Sequence, residues 1–296
     1  MDMLYERIRE AFPGVNLDNA VVNADGMVNV AIIAEGYVYR FARADWAVPA
    51  LQQESAVLRL IRDHVTMRVP SFTVIADDFV RYRFIEGEPL TRNTILQLPD
   101  YDQDWLAEQL ASFLSQLHSV PLDQLQDAGI GQSGGRQSQN EWLELYDHIQ
   151  RELYPLMYRI TRDHIDQHFS PLVNDPNWLD FQPTLIHDDL AQYHILYDPA
   201  DCYINGIIDF GTAGLGDPAR DYGILINVFG ESFVARMAKY DSSIEACIER
   251  ARFYHGTAEL QWLLIGVRQQ SFAILTAHLD RARDVKPYGM PLNHRR

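Results

Sequence analysis

Apolar positions along the chain follow two periods. Over residues 28–34 and 37–42 they are β-branched or aromatic, and the intervening Glu35-Gly36 is a two-residue hairpin signal, so two paired strands are predicted. Leu51, Val57, Leu58 and Ile61 then recur at helical spacing with Glu54 among them, which predicts a helix over 51–64. Val65, Thr66 and Pro70 stop it near His64. Residues 72–76 and 79–85 read as a second strand pair around Asp77-Asp78. After Gly87 the texture changes: residues 105–120 carry Leu106, Leu110, Phe113, Leu114 and Leu117 on one helical face, and long helical patterns recur at 141–158 and from 253 to about 284. A Gly, Ser and Gln stretch at 129–139 reads as a surface loop. Between the helices lies a β island at 184–187, 194–197 and 203–210. The pattern predicts an α+β chain: a small β-rich lobe over residues 1–87, including a linker that spans 83–90, and a larger helical lobe over 88–296. A cleft between lobes is the default ligand site.

Composition narrows the class. With 47% apolar and 22% charged residues the chain can bury enough surface to order itself, and 296 residues lead to an expectation of two packed units. A net charge of −16 argues against a nucleic-acid partner, which needs a basic surface, and favours cationic partners. Lys239 and Lys286 are the only lysines, so the first two thirds of the chain must do any cationic chemistry with arginine. Cys202 and Cys247 form neither a CxxC pair nor a disulfide framework. The start of the chain lacks the apolar core of a signal peptide, and no apolar run is long enough to span a bilayer. These features lead to the expectation of a cytoplasmic protein with no membrane partner. The oligomeric state is not legible.

The β island carries the chemistry. His187-Asp188-Asp189 opens a loop that ends at His194, and Asp209-Phe210-Gly211 follows Asp189 by 20 residues. Strands 194–197 and 203–210, joined by Asp198-Pro199-Ala200-Asp201, would form one hairpin that brings His194 near Asp209, with Asp189 on the adjoining loop. Phosphoryl transfer needs two such carboxylates: one to orient a hydroxyl and accept its proton, another to hold the magnesium that bridges nucleotide phosphates. Asp189 fits the first role and Asp209 the second. A metallohydrolase using His187, Asp188, Asp189 and His194 is a competing reading, because His and carboxylate also bind zinc. It leaves Asp209-Phe210-Gly211 unexplained.

At His187, Asp189, Asp209 and the run Asp217-Pro218-Ala219-Arg220-Asp221 the sequence resembles the aminoglycoside phosphotransferase family, a branch of the protein-kinase-like fold, and most of all its 2″-phosphotransferases. Leu117-His118-Ser119-Val120-Pro121 is similar to a segment common in that family. The resemblance implies a kinase-like architecture, with a nucleotide loop at Gly26-Met27-Val28-Asn29 and a phosphate-binding cation on the strand at 37–41. Arg40 stands there in place of the usual lysine, with Glu54 as its partner. Arginine is bulkier and forks its donors, so the exchange is not neutral. The resemblance also implies a nucleotide hinge that includes Tyr82, Arg83 and Ile85, and the bulk of Tyr82 leaves GTP open beside ATP as donor. His194 replaces the superfamily's asparagine, and imidazole is a poor ligand for hard Mg2+. Aminoglycoside 2″-phosphotransferases and macrolide kinases both often carry a histidine there.

On the substrate side, Glu259 and Trp262 share a helical face that would pair an ammonium and cover a ring, and Glu231 is a further candidate. Asp217 and Asp221 are expected to brace the loop after Gly211, with Arg220 as local partner. The expected activity is transfer of the γ-phosphate of GTP or ATP, with Mg2+, to a hydroxyl of a cationic aminoglycoside antibiotic, conferring resistance. A macrolide or other small-molecule kinase is one alternative, and a nucleotide-binding pseudokinase, motivated by Arg40 and His194, is another.

Overall fold

The structure, a computed structural model, describes residues 1–24 and 28–278. Gly26 and Met27 of the expected nucleotide loop, and the end of the helix expected to reach residue 284, lie outside the described residues. The chain divides into two compact units, Met1–Gln137 with Asp180–Tyr254, and Ser138–Leu179 with the chain from His255 onward.

The first unit opens with helix α1 (Asp2–Ala11) and a five-stranded antiparallel sheet of β1 (Val21–Asn23), β2 (Asn29–Ala34), β3 (Tyr37–Ala42), β4 (Thr73–Ala76) and β5 (Phe79–Arg83), ordered β1-β2-β3-β5-β4. The β2–β3 turn has Glu35 at φ 49° and Gly36 at φ 74°, the left-handed pair that a tight hairpin requires. Alternation along β3 sends Tyr39 and Phe41 to one face, where Ile8, Leu17, Ile32, Ala34 and Phe79 complete a core. Val38 and Arg40 go to the other. Helix α2 (Val48–Ile61) buries Leu51, Glu54, Val57, Leu58 and Ile61, so a carboxylate sits on the helix's apolar stripe and meets Arg40.

Gly87 leads out of this sheet at φ 145°; a Cβ there would lie 3.0 Å from the Leu196 side chain. The chain can then lay β6 (Glu88–Pro89) against β8 (Ile195–Asp198), which pairs with β9 (Tyr203–Ile207). Helices α3 (Arg92–Gln97), α4 (Asp100–His118) and α5 (Leu122–Asp127) follow. Helix α4 buries Leu106, Leu110, Phe113, Leu114 and Leu117, and its buried Gln109 accepts from the Ile204 N–H of β9 at 2.9 Å. β7 (Thr184–Ile186) pairs with β10 (Gly214–Gly216), and α8 (Ala219–Phe229), α9 (Glu231–Met237) and the start of α10 (Ser243–Arg268) complete the unit.

The second unit holds α6 (Gln139–His148), α7 (Arg159–Asn174), the remainder of α10 and α11 (Phe272–His278). A capping box at Ser138 and Glu141 starts α6. The helix expected over 141–158 is shorter: it gives way to a π turn at Ile149–Leu153 and a 3-10 turn at Tyr154–Leu156, because Pro155 has no N–H to continue the ladder. The long helix expected from 253 begins earlier, at Ser243, and ends after Arg268. There Gln270 turns left-handed at φ 52°, and the N–H groups of Gln270 and Ser271 close on the carbonyls of Val267 and Gly266, a Schellman stop. Among the described residues no helix is long and apolar enough to cross a membrane.

Candidate active site

β7 delivers the chain into the loop that carries Asp189. His187, fully buried at its start, faces the Ile208 carbonyl through Nε2 at 3.2 Å and the Asp189 N–H through Nδ1 at 3.2 Å. A carbonyl accepts and an N–H donates, so these partners select the neutral Nε2–H tautomer. Burial supports the same state by pushing the His187 pKa down to about 4. Asp188 adopts φ 63°, an unusual left-handed conformation for a residue with a side chain. Two groups hold it there. Its carboxylate receives Arg220 through Nε and Nη2, both at 2.7 Å, and its N–H donates to Asp221 Oδ1 at 2.8 Å. Asp221, fully buried on α8, also accepts from the His187 N–H at 3.1 Å and pairs with His118 Nε2 at 2.9 Å. Burial alone would raise the Asp221 pKa; the His118 and His187 contacts outweigh it and hold the carboxylate below its ordinary range.

Asp221 therefore braces the loop before Asp189 rather than the one after Gly211, and Arg220 pairs with Asp188. Asp217 is engaged elsewhere, by Arg250 at 2.7 Å and the Tyr254 hydroxyl at 2.9 Å.

The β8–β9 hairpin then brings three groups together. The Ile208 N–H donates to the His194 carbonyl at 2.9 Å, which places Asp209 beside His194. His194 Nδ1 donates to the Asp189 main-chain carbonyl at 2.7 Å, and Nε2 lies 3.4 Å from Asp209 Oδ2. Both aspartates keep access to solvent, with side chains 44% and 40% exposed, whereas His194 is 10% exposed. Their environments push them apart. Asp189 is raised by burial and by the charges of Asp209 and Asp188, against the pull of His194. Asp209 is held low, since Arg40 and His194 more than offset its burial. One carboxylate is thus made a better proton acceptor and the other is kept ionised, a division of labour that acid–base chemistry exploits. Asp209 sits at φ 66°, a second left-handed aspartate at the same site.

Arg40 reaches this pair from β3. Its Nη1 donates to Glu54 Oε1 at 2.9 Å and its Nη2 to Asp209 Oδ1 at 3.1 Å. The Asn29 amide oxygen, turned toward the guanidinium, accepts from Nε at 3.0 Å and from Nη2 at 2.6 Å. Glu54 is fully buried, and burial raises its pKa to about 7 despite Arg40. Its Oε1 also accepts from the Phe210 N–H at 3.2 Å, while Oε2 has no hydrogen-bond partner among the described residues. A guanidinium with donors along three edges suits this arrangement as a lysine ammonium would not.

The remaining expected residues are placed as follows. Tyr82 lies on β5 beside Arg40 and stacks on Phe72 with centroids 5.1 Å apart; burial pushes its pKa up to about 12. Arg83 ends β5, exposed, with its guanidinium over the Tyr37 ring. Ile85 is buried against Gly206. Glu231 begins α9, and Arg252 engages both of its carboxylate oxygens. Glu259 and Trp262 lie three residues apart on α10 in the second unit, with Trp262 46% exposed.

Mg2+ is the ion that phosphoryl transfer would need; Asp209 offers the oxygen it favours, and His194 is the weaker nitrogen donor beside it. His194 Nδ1 is committed to a carbonyl, so Nε2 is the ring nitrogen that faces the Asp209 carboxylate, and a cation would be taken up between these two groups. Among the described residues no three His, Cys, Asp or Glu side chains converge to hold a metal. Two protein ligands suit Mg2+, which keeps waters and takes phosphate oxygens for the rest.

A family model described as the phosphotransferase enzyme family matches residues 23–254. The chain belongs to that family. Among solved structures, the chain is similar to APH(2″)-IIIa in complex with GDP and kanamycin, at 26% identity over 95% of this chain and 97% of that one, with a TM-score of 0.84. A macrolide 2′-phosphotransferase of type I shares the fold at 24% identity and a TM-score of 0.70, over 94% of both chains. The viomycin phosphotransferase of Streptomyces vinaceus is 26% identical over 187 residues, 62% of each chain, so the match spans less than two thirds of that relative.

The α+β kinase-like architecture expected from the sequence is the architecture of this chain. Two contributors escaped the sequence reading: Asn29 as a partner of Arg40 and Asp188 as a partner of Arg220. An arginine inside Asp217-Pro218-Ala219-Arg220-Asp221 signals a buried carboxylate nearby, but not which one.

Proposed function

We propose that this phosphotransferase moves the γ-phosphate of GTP or ATP to a hydroxyl of a cationic amino-sugar antibiotic of the aminoglycoside class, thereby conferring resistance. The observation that carries the reading is the pair Asp189 and Asp209, held on either side of His194 with their pKa values displaced in opposite directions. Asp189 orients the acceptor hydroxyl and takes its proton as the acceptor oxygen bonds to the γ-phosphorus; the bond from that phosphorus to the β–γ bridging oxygen breaks, releasing the nucleoside diphosphate. Asp209 and His194 would hold Mg2+, which neutralises phosphate charge when bound. Arg40, positioned by Glu54 and Asn29, clamps phosphate oxygens.

GTP is the favoured donor on two grounds. Tyr82 puts a bulky ring next to the base-binding segment that includes Arg83 and Ile85, and the similar APH(2″)-IIIa structure holds GDP. A kanamycin-bearing neighbour and the acidity of the chain support a polyamine acceptor. Glu231, Glu259 and Trp262 are the candidate residues for it. A macrolide acceptor is the second reading, favoured by the fold shared with a macrolide 2′-phosphotransferase and by His194.

Release of GDP or ADP with Mg2+ should be measured against kanamycin, gentamicin, viomycin and a macrolide, with each nucleotide separately. Stimulation by kanamycin or gentamicin is the expected result. Stimulation by the macrolide alone moves the reading to a macrolide kinase, and nucleotide binding without turnover for any acceptor moves it to a pseudokinase.

A further inference from the structure

Tyr193 lies in the one-turn 3-10 segment Gln192–His194, between Asp189 and the first strand of the hairpin. It is 57% exposed in a loop whose other aromatic groups, His187 and His194, are buried. It is not a loose side chain. Its ring stands perpendicular to that of His194, with centroids 4.5 Å apart and planes at 89°, and His194 is itself tied to the Asp189 carbonyl at 2.7 Å. The contact places the phenol on the same short loop as Asp189, beside the ring that is bonded to the Asp189 main chain. Among the described residues no hydrogen bond engages its hydroxyl, and the steps assigned above to Asp189, Asp209, His194 and Arg40 make no use of it.

The chemistry of an aromatic face says what can rest on it. The face is the negative side of the ring quadrupole, so it repels phosphate and attracts ammonium groups and the C–H face of a sugar. The accessible Asp189 carboxylate and an exposed aromatic face on one short loop recognise a hydroxylated ring that carries an amine.

Resting on the kinase reading above, we propose that Tyr193 is a specificity-determining residue that receives the acceptor: its ring face takes an ammonium-bearing sugar ring whose reacting hydroxyl lies at Asp189. The nucleotide, which meets Arg40 and Asp209, does not depend on it.

The test uses the full-length protein, GTP, Mg2+ and kanamycin, with Tyr193→Ala, Tyr193→Phe and, as a remote exposed control, Tyr101→Ala. Loss of a cation–π and stacking contact corresponds to a rise in acceptor KM of about tenfold for Tyr193→Ala. Tyr193→Phe keeps KM within about twofold because the face remains, and Tyr101→Ala matches the wild type. GDP affinity, read separately by titration, reports whether Tyr193→Ala has kept the fold and the nucleotide site. An unchanged acceptor KM in Tyr193→Ala overturns the assignment, as does a GDP affinity that falls in parallel with the KM effect. If the wild type phosphorylates kanamycin, only the Tyr193 assignment is then lost. If the wild type phosphorylates no acceptor, the kinase reading fails and this inference falls with it.

Discussion

Arg40 Nη1 lies 2.9 Å from Glu54 Oε1 in a buried pair that joins the middle strand of the sheet to the helix behind it. Removing one member of such a pair strands a charge in a low-dielectric interior. Arg40→Ala is expected to raise the nucleotide KM at least tenfold and to destabilise the fold by about 3 kcal/mol, the usual cost of breaking a buried pair. Arg40→Lys should keep the charge but lose the contacts to Asn29, giving an intermediate KM. Steady-state kinetics in nucleotide and a thermal unfolding scan check both. An Arg40→Ala protein with wild-type nucleotide dependence removes Arg40 from the phosphate site.

Asp188 and Arg220 form a second pair, with Asp188 almost entirely enclosed at φ 63°. Arg220→Ala leaves that carboxylate uncompensated one residue before Asp189. The expected outcome is a fall in kcat of at least tenfold, with nucleotide KM within about twofold of wild type. A double-mutant cycle with Asp188→Asn should show strong coupling, the double variant being less impaired than the two single losses would sum to. Additive effects would mean that the pair does not act as a unit.

How far the sequence reached depended on whether a residue's partner was local. The hairpin of Tyr37–Ala42, the helix carrying Glu54 and the meeting of His194 with Asp209 follow from periodicity and turn signals within short stretches. Glu54 was legible as the partner of Arg40 through the resemblance to the aminoglycoside phosphotransferase family. The brace of Asp221 on His187 and Asp188 spans more than thirty residues, and the Arg236 pair with Asp104 more than a hundred; no local pattern encodes either. The break of the last long helix at Gln270 escaped for a different reason: its Schellman stop uses a non-glycine residue in a left-handed conformation, which leaves no glycine signal.

His187 gives the protein a pH limit. Its pKa is about 4 in the folded state and 6.5 as a free side chain, so between those values the unfolded chain binds a proton that the folded chain does not. Stability from this group is complete above pH 6.5 and is lost as pH falls toward 4, by up to about 3 kcal/mol. Protonation would also turn Nδ1 into a donor facing the Asp189 N–H. Chemical denaturation at pH 7.5, 6 and 5 should show falling stability, with a shallower slope in His187→Asn. Equal slopes would contradict the burial of a neutral imidazole.

The proposed Mg2+ ligand pair, Asp209 and His194, can be probed without altering either carboxylate. His194→Asn supplies an oxygen in place of a nitrogen and should lower the Mg2+ concentration needed for half-maximal turnover, because Mg2+ prefers oxygen. An unchanged Mg2+ requirement places His194 outside the metal's ligands.

The central claim is that Asp189 takes the acceptor's proton during phosphate transfer, and the most direct measurement is turnover of Asp189→Asn with GTP, Mg2+ and kanamycin, beside its affinity for GDP. Asparagine keeps the size and removes the proton acceptor. The account predicts a fall in kcat of at least a hundredfold with GDP affinity retained. Turnover near the wild-type rate would contradict it.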